Sequence, residues 1–295
     1  MRIWPLIACV LVCLHFVVVS DADEVPGDSQ KIYFIDFGTD KVQRSDLDGT
    51  NVQDLFTFPR SSFGHLAIDT THGKIYFTEQ KTATIRRMNL DGSPAQTILS
   101  NLAAPVDVEL DLAAGKLYWT EISGSSIRRA NLDGTDVEVL VNAANRLDQP
   151  CGLALDLAAG KIYWTDNETD KVQRANLDGS GVEDLITGLV QPLDIEVDPA
   201  GGKMYWADGV QGVIHRANLD GTSHEVFLSL GAPRGIALDV TAGKIYWTDR
   251  GTDKIQRANL ADGSGVEDLI TTGFIHPNGI ALGPAVIAEK RRPLD

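Results

Sequence analysis

The stretch KIYWTD at residues 161–166 decides the fold, because close copies of it recur along the chain at a nearly constant period. The other copies begin at Lys31, Lys74, Lys116, Lys203 and Lys244, so successive starts are 43, 42, 45, 42 and 41 residues apart. A fixed period of this length indicates a repeat architecture in which each unit packs against the next. We therefore expect one domain of six units over residues 31–283.

Each unit contains signals for four short β-strands. Around KIYWTD, the apolar run GLALD (152–156) precedes the motif and KVQRANL (171–177) follows it. The pair Asp178-Gly179 is a hairpin signal that leads into a fourth run, GVEDLI (181–186). No window has helical periodicity over the length that a helix needs. Four strands in roughly forty residues predict an all-β fold, a six-bladed β-propeller of four-stranded blades.

The two ends of the array predict how the ring closes. The first unit begins at Lys31 with its motif and lacks an innermost strand, whereas PNGIALG (277–283) follows the last unit and has no blade of its own. We expect this C-terminal strand to join the N-terminal blade, since a closed ring leaves no unpaired sheet edge. Residues 284–295 are expected to form a solvated tail.

The N-terminal residues have the pattern of a secretory signal peptide. Arg2 precedes an apolar run over residues 3–19, and polar residues return at 20–24. We expect a signal peptide at residues 1–22 and a linker at 23–30, with retention of the run as a membrane anchor as the alternative. The protein is then secreted and extracellular, or periplasmic if it comes from a Gram-negative bacterium.

Cysteine content agrees with this division. Cys9 and Cys13 would leave with the signal peptide, so Cys151 would remain alone and no internal disulfide could form. After residue 22 no stretch is long and apolar enough to span a bilayer. The mature chain is therefore expected to be held together by packing alone, and to be monomeric.

The net charge of −15 restricts the classes of partner. Nucleic acids and anionic membranes attract Lys and Arg, so neither is expected as the main partner. Acidity can serve solubility alone, and a cationic ligand is the second interpretation.

The six motifs resemble the YWTD repeat, also called the LDL-receptor class B repeat, which occurs in propellers of the LDL receptor family and in nidogen. Residues 163–166 and 246–249 read YWTD in full, and the variants are YFID (33–36), YFTE (76–79), YWTE (118–121) and YWAD (205–208). The resemblance implies a six-bladed propeller that binds protein ligands on the face where loops enter the innermost strands. Receptor-type relatives carry Cys-rich EGF-like modules beside the propeller, and this chain has none, so a free-standing binding protein fits better than a receptor.

Residues repeated in every unit are interpreted as structural. A catalytic site is one asymmetric constellation, whereas this pattern of Tyr, Trp or Phe, Arg, and Asp or Glu recurs in every unit. We expect the aromatic side chains to fill the spaces between blades and the arginines to bind carbonyls or carboxylates of neighbouring strands.

Function is expected where the units differ, at the entrance to each innermost strand. One aligned position reads His65, Asp107, Gly152, Asp194, Gly235 and Gly279, and the position before it reads Gly64, Val106, Cys151, Leu193, Arg234 and Asn278. Strand alternation places Glu109 and Asp111 on the side of Asp107, and Glu196 and Asp198 on the side of Asp194.

These positions predict a ligand-binding face at one end of the central channel, which the six innermost strands of the propeller would surround. Its expected residues are His65, Asp107, Asp194, Arg234, Arg250 and Asn278. Glu109 and Glu196 are candidate ligands for a calcium ion, which prefers several oxygen donors, although the resemblance itself calls for no cofactor. A channel whose polar lining is merely solvated is the alternative.

Three classes of function follow, and the first is favoured. A secreted module would bind an extracellular protein or peptide ligand through this face. A calcium-dependent propeller hydrolase or lactonase would need a nucleophile and base, and Cys151 and His65 lie in different blades without an orienting partner. A self-associating structural matrix protein would have no discrete partner.

Overall fold

The computed structural model describes residues 30–58, 64–145 and 147–284. The predicted signal peptide, residues 23–29 of the linker and residues 285–295 of the tail lie outside this range. The described residues form six separate sheets, each of four antiparallel strands. This confirms the predicted six-bladed propeller.

Each blade is named here after its motif strand. The innermost strands are β4 (Leu66–Asp69), β8 (Pro105–Asp111), β12 (Pro150–Asp156), β16 (Pro192–Asp198), β20 (Pro233–Asp239) and β24 (Pro277–Pro284). The motif strands are β1 (Gln30–Asp36), β5 (Lys74–Glu79), β9 (Lys116–Glu121), β13 (Lys161–Asp166), β17 (Lys203–Asp208) and β21 (Lys244–Asp249).

The third strands and the outer strands complete the blades. The third strands are β2 (Lys41–Asp46), β6 (Thr84–Asn89), β10 (Ser126–Asn131), β14 (Lys171–Asn176), β18 (Val213–Asn218) and β22 (Lys254–Asn259). The outer strands are β3 (Gln53–Thr57), β7 (Gln96–Leu99), β11 (Glu138–Asn142), β15 (Glu183–Thr187), β19 (Glu225–Ser229) and β23 (Glu267–Ile270). A 3-10 turn follows β11 at Ala143–Asn145. No helix in the described ranges has the length and apolarity needed to cross a membrane.

The ring closes as predicted. Strand β24 pairs with β1 in antiparallel register, with Gln30 opposite Pro284 and Tyr33 opposite Ala281. Each innermost strand also contacts the innermost strands of the two neighbouring blades, β24 and β4 included. The six innermost strands therefore surround a common axis.

The motif aromatics fill the spaces between blades, as expected. The tryptophans Trp119, Trp164, Trp206 and Trp247 are fully buried. One cluster joins Tyr163 of the β13 blade to Trp206 of the β17 blade, so each motif strand packs on the next. Apolar burial of large rings is the main stabilisation available to a chain without disulfides in its described part.

The repeated arginine of the third strand joins each blade to the next one. In the β13 blade, Arg174 donates to the backbone carbonyl of Leu219, at 2.9 Å. In the last blade, Arg257 donates to the carbonyl of Leu47 at 3.1 Å and so crosses the closure of the ring. The structural interpretation of these arginines is therefore correct.

Candidate functional site

A bulge at the start of the innermost strands turns the candidate residues toward the axis. Strand β8 pairs with β9 at Pro105 and again from Val108, so Val106 and Asp107 stand outside the ladder. The same interruption occurs in β12, β16 and β20. A bulge re-aims side chains in this way.

The motif threonine holds the bulge and ties it to the next blade. The N–H of Asp107 donates to Thr120 Oγ1 at 3.1 Å, and the Thr120 hydroxyl donates to the carbonyl of Cys151 at 2.7 Å. Thr78, Thr165 and Thr248 make the equivalent pairs of bonds. Each threonine thus fixes the backbone at the entrance of its own innermost strand and also links that blade to the next one.

Three of the six blades have glycine at the aligned position where the others have His65, Asp107 and Asp194, and these glycines make room for the three larger side chains. A Cβ on Gly152 would lie 2.6 Å from Asp194 Cα, and one on Gly279 would lie 2.7 Å from His65 Cα. Real Cβ atoms do not approach so closely. Three glycines at this level therefore allow His65, Asp107 and Asp194 to occupy the axis.

His65 bridges the two aspartates across the channel. Its Nε2 lies 3.1 Å from Asp194 Oδ2 as a hydrogen bond, and its Nδ1 lies 3.0 Å from Asp107 Oδ1 in an ion-pair contact outside hydrogen-bond geometry. Each carboxylate also accepts a backbone N–H of the next blade, from Leu153 at 2.7 Å and from Ile236 at 2.6 Å. We call these three side chains the His65 bridge.

Electrostatics keep the imidazole of the bridge charged. Burial disfavours the imidazolium, but the adjacent carboxylates of Asp107 and Asp194 outweigh it and raise the pKa of His65 well above 6.5. His65 is 8% exposed, so this charge sits in a nearly dry site. A buried charge of this kind is tolerated because it is paired on both sides.

The His65 bridge separates two cavities along the axis. The mouth cavity, of about 380 Å³, opens at the end where loops enter the innermost strands. All six predicted ligand-binding residues line it: His65, Asp107, Asp194, Arg234, Arg250 and Asn278. The far cavity, of about 260 Å³, lies at the opposite end and contains Glu109 and Glu196 among mostly apolar side chains.

The mouth cavity carries positive charge in an acidic protein. Burial and the neighbouring Arg250 charge lower the pKa of Arg234, and the buried Nε of Arg234 has no hydrogen-bond partner. Asn278, by contrast, donates its amide to the carbonyl of Gly64 at 2.8 Å. Of the six predicted residues, Arg234 therefore has a buried donor that an incoming anionic group could satisfy.

The far cavity holds a pair of half-buried glutamates. Burial, with the charge of Asp107, raises the pKa of Glu109 to about 8. Burial, with the charge of Glu109, also raises the pKa of Glu196. Carboxyls that resist ionisation in this way are poor oxygen donors for a calcium ion unless the ion itself displaces the protons.

The acidic residues of β8 and β16 are divided between the two cavities and the turns that follow these strands. Asp107 and Asp194 line the mouth cavity, whereas Glu109 and Glu196 line the far cavity. Asp111 and Asp198, which strand alternation places on the side of Asp107 and Asp194, accept the N–H groups of Ala114 and Gly201 in the turns that follow their strands, and they line neither cavity. In the described ranges, no three or more His, Cys, Asp or Glu side chains are grouped to hold a metal ion.

Some lining residues of the mouth cavity were missed. Gln80 and Ile122 occupy the position directly after the motif, as Asn167 and Arg250 do, and Gln191 comes from the loop before β16. Aligning the position after each motif would have found the first two. Cys151 also lines the cavity, but burial raises the pKa of its thiol to about 12.

Comparisons with known proteins agree with this fold. The family model for the low-density lipoprotein receptor repeat class B matches residues 115–157, 160–199, 202–240 and 243–282. No curated protein matches the chain. A chain from a crystal structure of a nidogen/laminin complex is similar at a TM-score of 0.77 and 23% identity, over 87% of this chain and 99% of that one.

More distant structures share the fold alone. Virginiamycin B lyase from Staphylococcus aureus is similar at a TM-score of 0.62 and 18% identity, over 86% of this chain and 88% of that one. A catalytically inactive form of that lyase with quinupristin gives 0.59 and 19%, over 82% and 81%. Since the family model covers more than half of the chain, the protein belongs to the family of low-density lipoprotein receptor class B (YWTD) repeats.

Proposed function

We propose that this chain is a secreted, monomeric protein-binding module that takes a segment of a protein or peptide ligand into its mouth cavity. The observation that carries the proposal is the buried, unpartnered Nε of Arg234 beside Arg250 in a cavity of about 380 Å³. A buried donor without an acceptor costs about 1–3 kcal/mol, and a bound carboxylate would remove that cost.

The lining of the cavity suits a polypeptide. Val106, Ile122 and Leu193 supply apolar surface, while Gln80 and Asn167 supply amides that can bind a peptide backbone. A ligand segment with an acidic side chain between apolar neighbours would satisfy both parts. The net charge of −15 describes the chain as a whole and would favour a cationic ligand. The mouth cavity, however, is lined by Arg234 and Arg250, which favour an anionic group.

The residues that catalysis would use are engaged in other roles. Both ring nitrogens of His65 face carboxylates, so the ring has no free nitrogen to act as a base. The Cys151 thiol, with its pKa raised to about 12, is not an activated nucleophile. We therefore propose a binding role without turnover and without a resident cofactor. The pattern of residues 1–22 and the likeness to a chain of a nidogen/laminin complex support an extracellular protein partner.

The test is affinity capture from the extracellular fluid of the source organism. Residues 23–295 would be compared with Arg234→Leu and Arg250→Asn, which carry the residues that Leu193 and Asn167 supply at the same positions in other blades. Lys161→Gln is the control, because it removes one positive charge at the opposite end of a motif strand. We expect wild type and the control to retain one discrete protein that both mouth variants lose. Equal retention by all four chains would overturn the proposal.

A further inference from the structure

The β17 blade differs from its neighbours between its third and outer strands. In the β13 blade, Gln173 accepts the indole N–H of Trp164 at 3.0 Å and donates to Asp184 at 2.6 Å. In the same register of the β17 blade, His215 stands opposite Val226. The polar bridge that the neighbouring β13 and β21 blades have at this place is therefore absent from the β17 blade.

Two histidines occupy the space instead. His224 Nε2 lies 3.0 Å from His215 Nδ1, and the His215 ring stacks on Trp206 with centroids 5.1 Å apart. His215 is buried at 5% exposure, whereas His224 is exposed to solvent. Metal–imidazole bonds are about 2.0–2.1 Å long, which puts adjacent ligand nitrogens about 3 Å apart. The two nitrogens thus already have the spacing of neighbouring ligands on one ion.

The other nitrogen of His215 has the environment of a metal-bound imidazole. A bound histidine carries its hydrogen on the remaining nitrogen, and a carboxylate there fixes the ring. His215 Nε2 lies 4.0 Å from Asp208 Oδ2, and both atoms are buried without a hydrogen-bond partner. A small shift of the ring closes this gap.

We propose that His215 and His224 form a two-histidine site for a divalent transition metal, with Cu²⁺ bound more tightly than Zn²⁺ and water in the remaining positions. The preference follows the general order of affinities for nitrogen ligands. The hydrogen now shared between the two nitrogens moves to the outer nitrogen of its own ring, so no redox step is involved.

The test is titration of the tag-free protein with Cu²⁺ at pH 7.5, followed by calorimetry and by tryptophan fluorescence. Trp206 stacks directly on His215, so binding at this site quenches its emission. The variants are His215→Gln and His224→Val, which carry the residues that Gln173 and Val182 supply in the β13 blade. His72→Gln, at an exposed histidine of another blade, is the control.

We expect one Cu²⁺ per chain, with a two-imidazole signature in electron paramagnetic resonance, in wild type and in the His72→Gln control. Both site variants lose this binding and the quenching. If His215→Gln fails to fold, His224→Val decides alone, since it changes a solvent-exposed side chain. Absence of one-site binding in wild type, or unchanged binding and quenching in His224→Val, overturns the proposal.

Discussion

His65 Nε2 lies 3.1 Å from Asp194 Oδ2 across the propeller axis, although the two residues are 129 positions apart in the chain. Asp107 contacts the other nitrogen of the same ring at 3.0 Å. Each aspartate in turn accepts a backbone N–H of the following blade. One imidazolium therefore links residues from three blades and closes the channel between its two cavities.

Replacement of His65 by Gln is expected to destabilise the fold by about 3–5 kcal/mol, because two buried carboxylates would lose their cation. The measurement is the free energy of unfolding in urea at pH 6. His72→Gln is the matched control, since the His72 side chain is 63% exposed and its pair with Asp69 contributes at most about 1 kcal/mol. Similar losses for the two variants would show that the bridge does not stabilise the ring.

The raised pKa values of Glu109 and His65 determine how the stability of the fold is expected to change with pH. The pKa of Glu109 is raised from 4.5 to about 8 in the folded chain, so the folded state binds more protons than the unfolded state between these values. Stability must then fall as pH rises from about 4.5 to about 8. The raised pKa of His65 adds to this, since its contribution is full below 6.5 and is lost as pH rises through the folded value.

Glu109→Gln is expected to flatten this decline and to be more stable than wild type at pH 8 by a larger margin than at pH 5. Thermal and urea unfolding at both values measure the margin. The control is Glu267→Gln, whose native carboxylate has its pKa lowered by Arg257 and is ionised across the whole range. Its difference from wild type should stay constant, and an equally constant difference for Glu109→Gln would contradict the account.

The missing threonine of the β17 blade offers a stabilising change. Four motif threonines donate to the next blade and accept the N–H of the axial residue, but Ala207 occupies that position here. Ala207→Thr is expected to add about 0.5–1.5 kcal/mol by making both bonds. Thr165→Ala should cost a similar amount in the same denaturation assay. A loss of stability in Ala207→Thr would mean that the residues around Ala207 leave no space for a threonine side chain.

The sequence predicted the fold in full because its signals repeat six times, and each blade needs the same aromatic, arginine and turn residues. It also gathered the six mouth residues, since an aligned position in a ring is a level along the axis. Strand alternation alone did not show that Asp111 and Asp198 accept N–H groups of the following turns and line neither cavity, because those donors lie beyond the strands. The sequence could not predict the pairing of His65 with Asp107 and Asp194, because this pairing depends on which blades face each other across the axis.

Cys151 is expected to be nearly inert in the folded protein. With its pKa raised to about 12, the thiol should react with a maleimide at pH 8 about a thousand times more slowly than an ordinary cysteine. Labelling of residues 23–295, which contain no other cysteine, would be followed by mass spectrometry with and without urea. Rapid labelling without urea would show that burial does not hold the thiol in its protonated form.

The most direct test of the central claim, that the mouth cavity binds a protein ligand, is the affinity of the captured ligand for three chains. Titration calorimetry at 0.15 M salt would compare wild type, Arg234→Leu and Lys161→Gln. We predict a loss of about 10–150-fold for Arg234→Leu, as for a charge-assisted hydrogen bond of about 1.5–3 kcal/mol, and a loss of less than about twofold for Lys161→Gln. Equal affinity for wild type and Arg234→Leu, or a larger loss for Lys161→Gln, would place the ligand elsewhere and contradict the claim.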